Sequence, residues 1–341
     1  MTTTHPDGSS PFLGGDPAMA GVRVSVVICA YTGERWAALV EAVDSVWAQS
    51  LPAHEVIVVV DHNAGLLARV RRDLPAVVAV ENQEDRGLSG ARNSGIAAAS
   101  GDVVAFLDDD AVAEPDWLER LSTPYSEPGV VGVGGAIEPC WLSGRPTGFP
   151  AEFQWVVGCT YEGVPRAPAA VRNMIGANMS VRRELFALVG GFRHGIGRVG
   201  QLPAGCEETE FCIRARQRLP DVRFVYEPRA RVRHAVPPAR ATWTYFRSRC
   251  FAEGVSKAQV SSSAGRKDGL ASERAYVVRT LPAGILRGVA DTLRGDTGGL
   301  VRALAIIAGL VLTTTGYLVG SLPLGAAWAS ASPFESEGGC V

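Results

Sequence analysis

The chain has 341 residues, 47% of them hydrophobic, enough to bury a full core in one large domain or two smaller ones. Its formal net charge of −2 leaves no electrostatic footprint for nucleic acid, which is excluded as a partner class. Seven cysteines form no C-x-x-C pair, and Cys29 and Cys212 sit in apolar runs; they read as reduced core residues of a cytosol-facing protein.

Residues 1–20 are rich in Thr, Ser, Gly and Pro with no apolar core segment, the composition of a disordered leader and not of a signal peptide. Val22 to Cys29 is β-branched and apolar, a buried strand. Trp36, Leu39, Val40, Val43, Val46 and Trp47 follow at three- and four-residue spacing, which predicts an amphipathic helix. Glu55 to Val60 is a second buried strand ending in Asp61, and a short helix over Leu66 to Arg72 leads to a third strand at Val77–Val80. Ala91 to Ser100 is a small-residue helix, with Gly101 expected at its C′ position. Strand–helix alternation of this kind gives a parallel sheet with right-handed crossovers.

The fourth strand, Val103–Leu107, ends on three carboxylates, Asp108, Asp109 and Asp110. Along an extended chain Asp108 and Asp110 share one face while Asp109 points away. Like charges that close raise each other's pKa unless a cation lies between them, and a divalent cation carrying a phosphate-bearing ligand answers that need. The competing reading is a water-exposed acidic turn. Ligands in parallel sheets bind beyond the carboxyl ends of the strands, where Tyr31, Thr32, Asp61, the Asn82–Arg86 stretch and the three aspartates all fall. Taken singly, Asp61 could equally be a helix or turn cap. No G-x-G-x-x-G follows the first strand and no G-x-x-x-x-G-K-[ST] occurs, which argues against a nicotinamide dinucleotide site and removes the usual ATPase loop. Gly132-Val133-Gly134-Gly135 has the wrong spacing for either and reads as a glycine-weakened strand.

Val26–Thr32, Val58–Asp61, Asn82–Asn93 and Phe106–Ala111 together resemble family 2 glycosyltransferases of the GT-A fold. The resemblance continues through Gly176–Ser180, Gly190-Gly191-Phe192 and Glu207–Cys212, over roughly residues 22–260. Ala113–Trp117, Glu210-Phe211-Cys212 and the apolar C-terminus are similar to the subtype that transfers glucuronic acid to a glucosyl-dolichyl-phosphate. The resemblance implies a Rossmann-like, mostly parallel sheet flanked by helices, with a C-terminal helical tail that associates with a membrane. It implies Tyr31, Thr32, Asp61, Arg86 and Asp109 as contacts to the nucleotide donor. Asp108 and Asp110 would hold Mn²⁺ or Mg²⁺ on the diphosphate, and Asp108 would also touch the donor. His234 matches a position where relatives add a metal ligand or diphosphate contact, although a lone histidine near a basic strand is otherwise structural. Glu208 aligns with the catalytic base that deprotonates the acceptor hydroxyl. It departs from the commoner Glu-Asp pair, and the carboxylates from Glu207 to Glu210 would also suit a helix N-terminus.

Trp243, Tyr245, Phe246, Phe251 and the arginines between them read either as a membrane-surface helix or as an ordinary packing helix. From Ala303 to Phe334 no charged residue occurs, a length able to cross the hydrocarbon layer, with Gly309, Gly316 and Thr313–Thr315 leaving a surface-lying helix open. Arg287, Arg294 and Arg302 precede this tail, which puts the catalytic domain of a cell-membrane protein on the cytoplasmic side. The expected organisation is a leader at 1–20, a catalytic domain at 21–240, an amphipathic helical region at 241–298 and a membrane-anchor tail at 299–341. Seven arginines between Arg223 and Arg249 point to a lipid-phosphate acceptor, giving an inverting transfer from a UDP-sugar, best UDP-glucuronate, to a polyprenyl- or dolichyl-phosphate-linked sugar. The absence of Q-x-x-R-W argues for a single transfer over polymerisation. A non-catalytic sugar-nucleotide-binding scaffold and a transferase acting on a polysaccharide are the alternatives. A sugar-1-phosphate nucleotidyltransferase shares the α/β plan but needs an opening loop rich in glycine and arginine that is missing here.

Overall fold

The computed structural model describes residue 12 and residues 21–196, 205–265 and 273–322. The expected leader lies outside these residues except for Phe12, which is buried and accepts a hydrogen bond from Gly129 N at 2.8 Å. The tail is described only as far as Leu322.

Four strands run parallel in the order β3 (Val78–Glu81), β2 (Glu55–Val60), β1 (Val24–Ala30), β4 (Val103–Asp108). Helices α1 (Trp36–Trp47), α2 (Ala64–Asp73) and α3 (Leu88–Ala98) make the crossovers between them. Beyond β4 the sheet turns mixed. β8 (Asn178–Arg182) is antiparallel to both β4 and β6 (Val130–Trp141), β9 (Arg223–Val236) is parallel to β6, and the short β5 (Ala111–Ala113) and β7 (Ala169–Val171) pair antiparallel with β9. The alternation legible in the first 110 residues therefore covers one half of a nine-stranded sheet. Asn178 stitches the halves together: wholly buried, it accepts from Trp117 Nε1 at 2.8 Å and donates to the carbonyls of Ala136 and Ala230 at 2.9 Å. Trp117, in α4 (Trp117–Ser122), is completely buried, so these two motif residues act in the core and not on a ligand.

Gly101 is not a left-handed cap. α3 ends on an extended Ala99, and Gly101 is required by close approach, since a Cβ there would lie 2.6 Å from Arg23 O and 2.8 Å from Ser25 N of the β1 start. Cys29 and Cys212 are free; Cys212 is a buried core residue while Cys29 is partly buried against the core, and desolvation pushes the Cys29 thiol up to about 12 and the Cys212 thiol higher still.

Past the sheet, α5 (Arg183–Val189) and α6 (Glu207–Arg218) precede β9, and α7 (Trp243–Ala264) follows it. One turn at Glu273–Ala275 and a π-helical turn at Tyr276–Thr280 run into α8 (Leu281–Leu293), and α9 (Gly298–Gly320) closes the described chain. α7 is a packing helix. Phe246, Cys250, Ala252, Val255 and Ala258 are buried, and of its two arginines Arg249 is buried in an ion pair with Glu253 at 2.8 Å while Arg247 is exposed. The other arginines also disperse. Arg223, Arg229, Arg231 and Arg233 pair with Glu127, Glu227, Glu138 and Glu114 along the outer side of β9, leaving Arg240 and Arg249 to the interior.

Candidate active site

The tips of β1, β2 and β4 bring two groups of polar side chains together. In the first, Asp61 continues β2 into a turn, accepting from Asn82 Nδ2 at 2.7 Å and Gly87 N at 2.9 Å, with His62 Nδ1 at 2.8 Å. Asn82 is itself fixed, because its Oδ1 accepts from Glu84 N and Ser94 Oγ. Thr32 Oγ1 accepts from Glu34 N, and Tyr31 is 40% exposed beneath the Arg35 guanidinium, 5.5 Å from its ring centre. Arg86 sits exposed between β3 and α3, on the segment whose next residue binds Asp61.

The second group lies at the end of β4. Asp108, Asp110 and His234 each offer one ligand atom, all within 4.8 Å of one another. The β5–β9 pairing sets this up by placing His234 opposite Ala111, one residue past the aspartates. His234 is buried, with Nε2 3.0 Å from Asp110 Oδ1 and 3.9 Å from Asp108 Oδ2. Burial alone would lower the pKa of this imidazole, but Asp110 overrides it and raises it to about 10. Asp110 is likewise held below the usual carboxylate range, against its own burial, by His234, Arg35 and Arg240. Arg35 Nη1, 3.1 Å from Asp110 Oδ2, also reaches the buried Asp109. Arg35 holds its Oδ1 at 2.9 Å while Oδ2 has no hydrogen-bond partner, and burial beside Asp110 lifts it to about 7. Asp109, expected among the donor contacts, is packed under Arg35.

Asp108 and His234 open onto a cavity of about 720 Å³, and Glu207 and Glu208 at the first turn of α6 line it as well. Glu207 is fixed by the buried Arg92 of α3 at 2.7 Å; the same guanidinium donates to Gly176 O at 3.0 Å and lies 3.8 Å from Asp108. Gly176 permits this, since a Cβ there would fall 2.6 Å from the guanidinium. Glu208 is half-buried, and burial with the neighbouring Glu207 charge raises it to about 8 despite the opposing pull of Arg92. Its carboxyl thus binds protons tightly near neutrality, a property suited to general acid–base work. Further round the wall, Lys257 reaches Glu273 at 2.6 Å and Arg172 reaches it at 2.8 Å, joining α7 to the turn before α8. Phe153, Trp155 and Tyr276 supply aromatic surface.

Arg92 and Arg35 have no role in the sequence reading, and Glu207 has only that of a helix opener. For Arg92 a signal was present: it stands between Ala91 and Gly95 on a small-residue helix, the kind that packs close to a sheet, so its charge was bound to be buried and paired.

Comparison with known proteins decides the family. Residues 25–189 match the family model for glycosyl transferase family 2. The glucosyl-dolichyl phosphate glucuronosyltransferase of Haloferax volcanii is 40% identical over 240 residues, 69% of this chain and 76% of that protein. The chain belongs to glycosyltransferase family 2. The succinoglycan biosynthesis protein ExoM of Rhizobium meliloti is 26% identical over 243 residues, 68% of this transferase and 73% of that protein. The mannosyltransferase of Pyrobaculum calidifontis, solved with GDP-mannose and Mn²⁺, superposes with a TM-score of 0.54 over 87% of this chain and 89% of that one at 19% identity, which establishes the shared GT-A fold.

Proposed function

We propose that this transferase moves glucuronic acid from UDP-glucuronate onto a polyprenyl- or dolichyl-phosphate-linked sugar, inverting the anomeric centre, at the cytoplasmic face of a membrane. The observation that carries the reading is that Glu208, with its raised proton affinity, shares one cavity with Asp108 and His234 of the metal-ligand cluster that Asp110 completes. Two carboxylates and an imidazole in such a cluster suit a divalent cation, Mn²⁺ in preference to Mg²⁺ because of the nitrogen donor. Such an ion supplies neutralisation of the charge that develops on the departing diphosphate.

The other parts belong to the chain itself. Tyr31, Thr32 and Asp61 receive the nucleobase and ribose, Asp61 being held rigid by Asn82 and Gly87, with Arg86 at the rim. Glu208 takes the proton of the acceptor hydroxyl as that oxygen bonds to the anomeric carbon and the bond from that carbon to the diphosphate oxygen breaks. The Glu207 charge beside it raises the proton affinity of Glu208, and Arg92 links Glu207 to Asp108. The relative named as a glucosyl-dolichyl phosphate glucuronosyltransferase supports the donor and acceptor classes. Residues 21–240 are then the catalytic domain, with α7 packed on it and lining its cavity, and α8 and α9 the membrane-facing part.

The test is transfer of radiolabel from a panel of UDP- and GDP-sugars into a membrane lipid extract with Mn²⁺ or Mg²⁺ present. Label should pass from UDP-glucuronate into a mild-acid-labile lipid and fail to pass in Glu208→Gln. No transfer from any donor would overturn the reading.

A further inference from the structure

α9 has the length and composition of a membrane-crossing helix, 23 residues containing an 18-residue stretch of mean hydropathy 1.9. Its packing assigns it a different place. One side is docked on the protein along the whole helix: Gly299 on Gly288 of α8, Gly309 on the Phe153 ring, Gly316 on Phe251, Gly320 on Val255 and Ala258. The contact with α7 is backbone to backbone. A Cβ at Gly316 would lie 2.1 Å from Phe251 O, and one at Gly254 would lie 2.1 Å from Thr313 O. A helix held this way can cross a bilayer only if α7 crosses beside it. α7 carries Arg249, Glu253 and Lys257, and all three line the catalytic cavity. Each charge at mid-bilayer costs about 2.5–3.5 kcal/mol on insertion scales, so α7 stays in the protein and α9 with it.

The outer side of α9 carries a stripe of aliphatic residues. Leu300, Leu304, Ile307, Val311 and Leu318 recur at helical spacing, each 45–61% exposed, and none is charged. α8 adds Leu286 at 70% and Leu293 at 84% exposed, with Arg287 and Arg294 beside them. Aliphatic side chains flanked by arginines whose stems can snorkel are the composition of a helix lying in a bilayer surface. We infer that α8 and α9 lie in the plane of a membrane surface, with the α9 stripe among the acyl chains, and that α9 does not span. Continuity with the site favours lipid as the occupant. Leu281 and Leu310 line the catalytic cavity while their neighbours Leu286 and Val311 face outward, so these helices separate the cavity from the bilayer and give an acceptor's hydrocarbon chain a way out. The in-plane placement stands without the transferase reading; only the exit route rests on it.

Two measurements on the full chain test this. In a Cys140→Ser, Cys340→Ser background, Leu293→Cys and Leu322→Cys bracket α9. A membrane-impermeant maleimide added to sealed vesicles should label both from the same side, whereas labelling from opposite sides means that α9 spans and overturns the inference. Leu304→Glu/Ile307→Glu/Val311→Glu should weaken sedimentation with phosphatidylglycerol-containing vesicles at least tenfold, while calorimetric affinity for UDP with Mn²⁺ stays unchanged. Unaltered vesicle binding, or a dimer that the triple variant converts to monomer without loss of vesicle binding, overturns it. Loss of UDP affinity in the wild-type chain would count against the transferase reading and leave the placement of α9 standing.

Discussion

The two walls of the cavity are built by different means. On the metal side, Asp108 sits at the tip of β4 and His234 on β9, and the sheet itself fixes them, the β5–β9 pair holding His234 against Asp110 just behind the wall. On the opposite side the wall is assembled from segments far apart in the chain and held by ion pairs between them. Arg172 and Glu273 are 101 positions apart, and Lys257 joins the same carboxylate from α7. Geometry on the first wall is a property of the sheet, whereas on the second it depends on docking of the C-terminal helices. Damage to the first should therefore remove chemistry, and damage to the second should change acceptor handling and stability while donor binding survives.

The sharpest break of that contrast is Asp110→Asn. It removes one ligand and leaves the buried His234 without its charge partner, and it should lower metal-stimulated transfer by ~1,000-fold or more. Manganese titration of activity checks this, and near-wild-type rates would refute the metal cluster. Glu208→Gln should cut transfer by ~100- to 1,000-fold, the range of a lost general base, with UDP affinity by calorimetry unchanged. Retained turnover would move the base elsewhere.

A subtler probe lies at the junction of the walls. In the wild type the active form of Glu208 is the carboxylate and its pKa is raised to about 8, so kcat/KM should climb with pH through that value and level off above it. Glu207→Gln takes away a neighbouring negative charge and frees Arg92, and both changes lower the Glu208 pKa. The acid limb should shift down by about one pH unit and the plateau should fall, because a weaker base accepts the proton less readily. An unmoved limb would mean that Glu207 does not set the base.

The same contrast explains what the sequence disclosed. The parallel half of the sheet was legible because buried strands announce themselves as β-branched runs, and because ligands gather at their carboxyl ends; Asp61, Asp108 and Asp110 follow from that rule. His234 could not be placed by pattern, since it reaches the aspartates only through the antiparallel β5–β9 pairing, 124 positions after Asp110 in the sequence. The arginines between Arg223 and Arg249 misled for a related reason. On β9 Arg223, Arg229, Arg231 and Arg233 all fall at exposed positions, and each found a glutamate there. The acceptor-side wall left no local trace, because each of its contacts joins elements whose meeting depends on the whole fold.

The smallest effect is expected at Tyr276, where the C-terminal helices meet the body. Its hydroxyl donates to Glu152 O at 2.6 Å and accepts from Trp155 Nε1 at 3.1 Å, and the ring lines the cavity. Tyr276→Phe keeps the ring and deletes both hydrogen bonds, leaving a carbonyl and an indole N–H half-buried and unpaired. That should cost about 1–2 kcal/mol and lower Tm by a few degrees in a thermal melt. Because the residue touches nothing on the metal side, UDP affinity should stay at the wild-type value while KM for the lipid-linked acceptor rises a few-fold. Equal losses of donor and acceptor affinity would show that the two walls are coupled through the fold, and the division between a sheet-built wall and a helix-docked wall would have to be given up.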